Sequence, residues 1–279
     1  MNIRLRRVLD MFCILLLLGG GFIVNLISCD SGSAENDISE IYNIRDIIQN
    51  EKFIMHAGGF VADSKGKNIS YTNSRDSVEN CLKAGRRICE LDFRISTDNF
   101  LVCTHEWNQV YSNGIPLDSP VSKDEFLSCK IYGEFASMDL ESLKLFFAAY
   151  EDFYVVTDSK DNNVEACRII ARDAPEFIDR FIIQIYHASE YDKIRELGFK
   201  NIIYTLYRTS QEEREISLLI DFAKSHPFVG FTYWYYFAET YLETFSRNNI
   251  PSYIHTVNDK NEQVKFFNLG AAAIYTDSL

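Results

Sequence analysis

Residues 88–106 read ICELDFRISTDNFLVCTHE. The first half is an apolar run of strand length, and side chains on a strand alternate between its two faces. Glu90 and Asp92 therefore project to one side, while Cys89, Leu91 and Phe93 project to the other. Two carboxylates side by side repel unless a cation lies between them, and paired carboxylate oxygens suit a hard ion such as Mg²⁺ or Ca²⁺. The polar turn Ser96-Thr97-Asp98-Asn99 follows, and a second apolar run delivers His105 beside Glu106. An exposed strand edge with a surface turn could be written in the same letters. Within this stretch alone the two readings stand level.

The surrounding chain resolves the fold class. Short apolar runs recur at 52–56, 88–94, 153–158, 181–186, 201–206, 228–233, 252–256 and 272–276. Several are hydrophobic almost without a break, as strands buried on both faces are. Longer amphipathic stretches separate them, at 75–84, 140–150, 164–173, 190–197, 211–224, 238–247 and 259–269, with a further short one at 41–50. Eight strands alternating with helices predict an α/β fold with a parallel sheet closed into a (β/α)₈ TIM barrel. A doubly wound open sheet is the alternative, but no glycine-rich phosphate fingerprint follows the first strand. Residues 106–138 break the rhythm, with turn signals at Asn113-Gly114, Pro116, Asp118 and Pro120. They read as a short inserted cap loop after strand 2, over the barrel mouth.

With 279 residues, 47% of them apolar and 14% aromatic, the chain has the means for a large core and not the composition of disorder. A net charge of −12 argues against a nucleic-acid backbone as partner. The N-terminus reads as a targeting segment: Arg4, Arg6 and Arg7 precede an apolar stretch that ends Leu26-Ile27-Ser28-Cys29. That ending resembles a bacterial lipobox, which implies a signal peptide over 1–28 and lipidation at Cys29. An uncleaved anchor helix is the alternative. Both readings put the body, 51–279, outside the cytoplasmic membrane, joined by a polar tether and the short helix within 29–50. Cys81, Cys89, Cys103, Cys129 and Cys167 have no spacing of a disulfide framework or zinc site and read as small buried residues.

In a barrel, chemistry gathers where strands end. Those ends carry His56, Glu90 and Asp92, His105 across the strand-two hairpin, Asp158 and Lys160, Gln184 and Tyr186, Tyr207, Trp234, His255 and Asp277. The set resembles the glycerophosphodiester phosphodiesterase family, a barrel family whose motifs match here in order. They appear as His56-Ala57-Gly58, Tyr71-Thr72-Asn73-Ser74, Glu90-Leu91-Asp92, Thr97-Asp98-Asn99, His105-Glu106, Asp158-Ser159-Lys160, Thr256-Val257-Asn258, Leu269-Gly270 and Thr276-Asp277. The likeness spans residues 53–277. It departs where Ala57 stands for an arginine, Asp158 for a glutamate, Asn99 for a glycine and His255 for a frequent tryptophan.

By position, the resemblance implies that Glu90, Asp92 and Asp158 hold one divalent cation, Mg²⁺ or Ca²⁺, and that His56 and His105 share the acid and base roles. Lys160, on the same strand face as Asp158, is expected to point at the phosphate in place of the lost arginine. Tyr207, Trp234 and His255 are expected on the alcohol side. Core packing is an equal reading for Tyr207 and His255, and the aromatic run 233–237 favours it for Trp234. Taken singly, Glu90 and Asp92 could pair with Arg86, Arg87 or Arg94, and Asp158 with Lys160 could be a surface ion pair. The functional expectation is metal-dependent hydrolysis of glycerophosphodiesters, or of glycerophosphate-containing envelope components. The partners expected are a small-molecule or lipid-derived phosphodiester and a membrane reached through the lipid anchor, with no obligate protein partner. Two alternatives stay open: a phospholipase C-like lyase that releases a cyclic phosphate, and a binding lipoprotein without catalysis.

Overall fold

The computed structural model describes residues 31–278. Cys29 and the targeting segment before it lie outside the described residues. Eight parallel strands form the barrel: β1 Phe53–Met55, β2 Ile88–Ile95, β3 Tyr154–Ser159, β4 Phe181–Ile185, β5 Ile202–Thr205, β6 Gly230–Trp234, β7 Ser252–His255 and β8 Ala273–Thr276. Each pairs with its successor, and β8 returns to β1 with Phe53 opposite Ile274 and Met55 opposite Thr276. The pairing of Met55 with Cys89 joins β1 to β2. The expected TIM barrel is therefore the observed fold, and each strand lies on its expected apolar run.

Side-chain alternation sorts the two layers. Ile88 and Val156 point inward and join Ile54, Ile182, Ile203, Val229, Tyr253 and Ala273 in the core at the N-terminal end of the barrel. Ile44 and Ile48, from the helix Ser31–Glu51, pack into the same cluster and plug that end. Residues of opposite parity, such as Cys89, Leu91, Phe93 and Val155, face outward against Val78, Leu82, Leu143, Phe147 and Ile169 of the surrounding helices. The helices start where a side chain satisfies a free backbone N–H: Ser74, Asp139, Asn162 and Asp259 each accept from the first turn that follows them.

Three sequence expectations need correction. The first helix begins at Ser31, inside the stretch read as a polar tether. Once Ile41–Ile48 is packed, extension backward through Ala34 and Glu35 costs little, because nucleation is the expensive step. The helix expected from 211 begins only at Ile216. There the Glu213 carboxylate accepts from the Ser210 N–H and from His187, which holds residues 210–215 as turns. The insert after β2 is more than a loop. Val110–Ser112, Ile115–Pro116, Lys130–Ile131 and Phe135–Ala136 make a four-stranded antiparallel sheet beside the helix Lys123–Ser128. Trp107, Val110, Phe126, Ile131 and Phe135 form its own small core. Strands of two or three residues are too short to show a period of two.

Candidate active site

The inward-facing line that starts at Ile88 and Val156 continues upward as Glu90, Asp92 and Asp158. All three are buried, and each offers a carboxylate oxygen within 4.8 Å of the others. β2 and β3 run in parallel register with Asp92 opposite Asp158, so the cluster follows directly from strand pairing. None of the arginines flanking β2 reaches Glu90 or Asp92. Arg87 pairs with Asp152, and Arg94 pairs with Glu106 and Asp161.

Each carboxylate is held in place. Asn73 donates from Nδ2 to Asp92 Oδ2 at 2.7 Å and accepts the Asp92 N–H at 2.9 Å. Its backbone is left-handed, φ +49°, a conformation Asn tolerates well. The Ala57 N–H donates to Glu90 Oε2 at 2.9 Å. That contact needs β1 to break into a tight turn, which continues through Gly58 at φ +82°, where a Cβ would lie 2.4 Å from Ser77 Oγ. Asp158 accepts from Tyr207 at 2.9 Å and from Tyr186. Tyr207, expected on the alcohol side or in the core, is thus a hydrogen-bond donor to the acid cluster.

Lys160, expected to point at the phosphate, sits between two of these carboxylates. Its Nζ lies 2.8 Å from Asp92 Oδ1 and 2.8 Å from Asp158 Oδ2. Burial opposes its charge, yet the two carboxylates hold its pKa above the ordinary lysine value. Asp158 is correspondingly low: burial would raise it, and Lys160 with the two tyrosine hydroxyls outweighs that. Glu90 is pushed up, by burial first and then by the charge of Asp92. One ammonium shared among three buried carboxylates leaves the cluster short of positive charge. These residues fit a hard divalent cation, with Lys160 standing where such a charge is needed.

His56 joins the cluster from the end of β1. Its Nδ1 donates to Asp277 Oδ1 at 2.8 Å, and its Nε2 faces Glu90 Oε2 at 4.0 Å. Asp277 is oriented in turn by Asn258, whose Nδ2 donates to Oδ2 at 2.7 Å. Burial alone would lower the His56 pKa; the bond to Asp277 and the charges of Glu90, Asp277 and Asp92 prevail and raise it to about 9. His105 stands further out, across the ring of Tyr71. Ring centroids are 4.4 Å apart between His56 and Tyr71, and 5.4 Å apart between Tyr71 and His105. Burial lowers the His105 pKa, with Asp92 and Lys160 pulling in opposite directions.

His255 lies beside Tyr207 at 5.8 Å, its Nε2 buried without a partner, and burial followed by the charge of His56 lowers it to about 3. Trp234 does not fill the core: it is 37% exposed, next to Tyr235 and Tyr236 at 52% and 54%, and forms an aromatic rim. In the insert, burial and then the charge of Asp92 raise the Tyr132 pKa. Sequence reasoning assigned no role to Asp277, Asn258, Asn73, Tyr186, Tyr71 or Arg208. The first three stand inside matched motifs, and Tyr186 stands at a strand end. Tyr71, within a matched turn, and Arg208, right after Tyr207, carried no signal of their own.

The structure thus defines a TIM barrel whose C-terminal mouth holds a buried acid triad, a lysine and a histidine–aspartate pair. No family model matches the chain, and no curated protein matches its sequence. Solved structures match its fold. A glycerophosphodiester phosphodiesterase from Parabacteroides distasonis superposes with a TM-score of 0.60 at 18% identity, covering 81% of this chain and 93% of that one. One from Thermotoga maritima gives 0.60 at 16% identity, covering 81% and 94%. One from Agrobacterium tumefaciens gives 0.58 at 12% identity, covering 81% and 96%. The chain has the fold of the glycerophosphodiester phosphodiesterases.

Proposed function

We propose that this protein is a metal-assisted phosphodiesterase acting on glycerophosphodiesters or on glycerophosphate-containing envelope components. The observation that carries the reading is the buried triad Glu90, Asp92 and Asp158, with carboxylate oxygens within 4.8 Å and His56 beside it. The shared fold supports it. A divalent cation held by the triad would bind a phosphate oxygen and offset the charge that builds as the diester is displaced.

The chain's own residues supply the proton transfers. His56, its Nδ1 tied to Asp277, presents Nε2 to the cluster, which suits it to protonate the leaving alkoxide. His105, whose pKa burial lowers, suits the base that takes a proton from the nucleophile. The exposed rim of Trp234, Tyr235 and Tyr236 offers apolar faces to the alcohol portion. Membrane attachment through Cys29 belongs to the same proposal, and Cys29→Ser is expected to release the protein into the soluble fraction.

The test is hydrolysis of a panel of glycerophosphodiesters with and without chelator, comparing wild type with His105→Ala. Chelator-sensitive release of linear glycerophosphate, lost in the variant, is the expected result. A cyclic phosphate product would replace hydrolysis with the lyase route. No turnover of any diester, with metal present, would leave only a binding protein.

A further inference from the structure

Tyr71 touches both histidines of the site. Its ring meets His56 edge-on, with 85° between the planes, and meets His105 at 90°. The His105 side chain makes one other such contact among the described residues, 3.6 Å from Nδ1 to Oε1 of Glu106. Glu106 is itself paired with Arg94 at 2.7 Å, so His105 has only a share of that carboxylate. The ring of Tyr71 therefore sets where His105 stands relative to the cluster. That ring is held at a cost. Tyr71 has φ +59°, a left-handed backbone that is an outlier for a bulky residue. The turn enforces the angle: buried Thr72 and Ser74 bond through their hydroxyls at 3.0 Å, and the Asn73 N–H donates to Ala57 O at 3.2 Å. Core packing does not call for this strain, since Tyr71 is exposed and its hydroxyl makes no hydrogen bond among the described residues. Strain of this kind gathers at functional sites. Burial, then the charges of Glu90, Asp92 and Asp277, push the Tyr71 pKa up to about 12, so it stays neutral beside both histidines.

We propose that Tyr71 is a positioning residue: its ring, locked by a strained turn, fixes His105 relative to His56, so that base and acid address different ends of the phosphodiester. The ring acts through the histidines, and the hydroxyl is not required. A small misplacement of a catalytic group is enough to slow a reaction strongly, which is what the ring prevents. The inference rests on the acid and base roles proposed for His56 and His105.

The deciding experiment compares wild type with Tyr71→Phe, which keeps the ring, and with Tyr71→Asn and Tyr71→Gly, which remove it and accept the left-handed backbone. Melting temperature is the folding control. On a glycerophosphodiester with saturating divalent ion, the two ring-less variants are expected to lose about 10- to 100-fold in kcat with KM nearly unchanged. Tyr71→Phe is expected to recover most of the rate. Histidine titrations followed by NMR in chelator give a readout independent of turnover. Burial holds the His105 pKa low, with Asp92, Lys160, Glu106 and Asp158 also acting on it, so loss of the ring is expected to move it up toward 6.5. Full kcat in the ring-less variants, an equal loss in Tyr71→Phe, or a change confined to KM overturns the proposal. So does a His105 titration identical in all four proteins. Unfolding of both ring-less variants would make Tyr71 a residue of the fold and overturns it too. Turnover by wild type is scored separately: its absence would sink the enzyme reading, while the titrations still decide whether the ring holds His105.

Discussion

The ammonium of Lys160 lies 2.8 Å from Oδ1 of Asp92, across the seam between β3 and β2, and equally close to Asp158. A lysine that faces a phosphate in a loaded site would here have to leave two carboxylates first. Without metal it is the positive charge that lets three buried acids coexist. Lys160→Met removes that charge while keeping most of the side chain's bulk. Breaking a buried pair on one side costs roughly 3–5 kcal/mol. The chelated variant is therefore expected to melt several degrees below chelated wild type. Added Mg²⁺ or Ca²⁺ is expected to raise its melting point more than that of wild type, because the ion no longer competes with an ammonium. Equal melting points in chelator would show that the pair contributes nothing.

Removal of either histidine tests the proton-transfer roles. His56→Ala and His105→Ala are each expected to lower kcat by about 10²–10⁴, with His105→Ala folded and stable because its side chain is 32% exposed. Glu90→Gln keeps the shape of the side chain and removes a ligand charge. Its expected signature is weaker binding of the divalent ion by calorimetry and a higher ion concentration for half-maximal activity. An active enzyme in chelator, unaffected by Glu90→Gln, would exclude the triad from catalysis.

The barrel was legible because each strand is a near-continuous apolar run, and the triad because alternation put Glu90 and Asp92 on one face. What sequence could not supply was contact over distance. His56 and Asp277 are 221 positions apart and meet only because β8 pairs with β1. The hydroxyls of Tyr186 and Tyr207 looked like strand-end aromatics until the barrel's curvature turned both onto Asp158. Lys160 shares strand parity with Asp158, but parity alone does not say which neighbour on that face its ammonium meets first. The unbalanced charge of the cluster decides its direction instead. In the insert, strands of two residues carry no period to read, so Trp107 and Phe126 gave no sign of a core of their own.

The His56–Asp277 pair makes the stability of the metal-free protein pH-dependent. The folded-state pKa of His56, about 9, lies above the model-peptide value of 6.5. Its contribution to stability is therefore full below about pH 6.5 and is lost as pH rises through 9. In chelator, wild type is expected to lose stability between those limits. Asp277→Asn removes the carboxylate that holds the proton and is expected to flatten this dependence. Thermal melts at a series of pH values check it, and an unchanged slope in Asp277→Asn would assign the effect to other groups.

Asn73 presents a sharper case, because its side chain and its backbone make separate demands. The side chain bonds Asp92 twice, and the backbone sits at φ +49°. Asn73→Ala loses both bonds and places an unfavourable residue in the left-handed region, for a cost of about 2–4 kcal/mol. Asn73→Gly accepts the backbone angle and loses only the bonds. If the latch matters for function, both variants are expected to bind the divalent ion more weakly by calorimetry, with the alanine variant also melting lower than the glycine variant. If Asn73 serves only the turn, Asn73→Gly will bind the ion as wild type does, and only Asn73→Ala will suffer. The glycine variant thus separates the positioning of a metal ligand from the shaping of a loop.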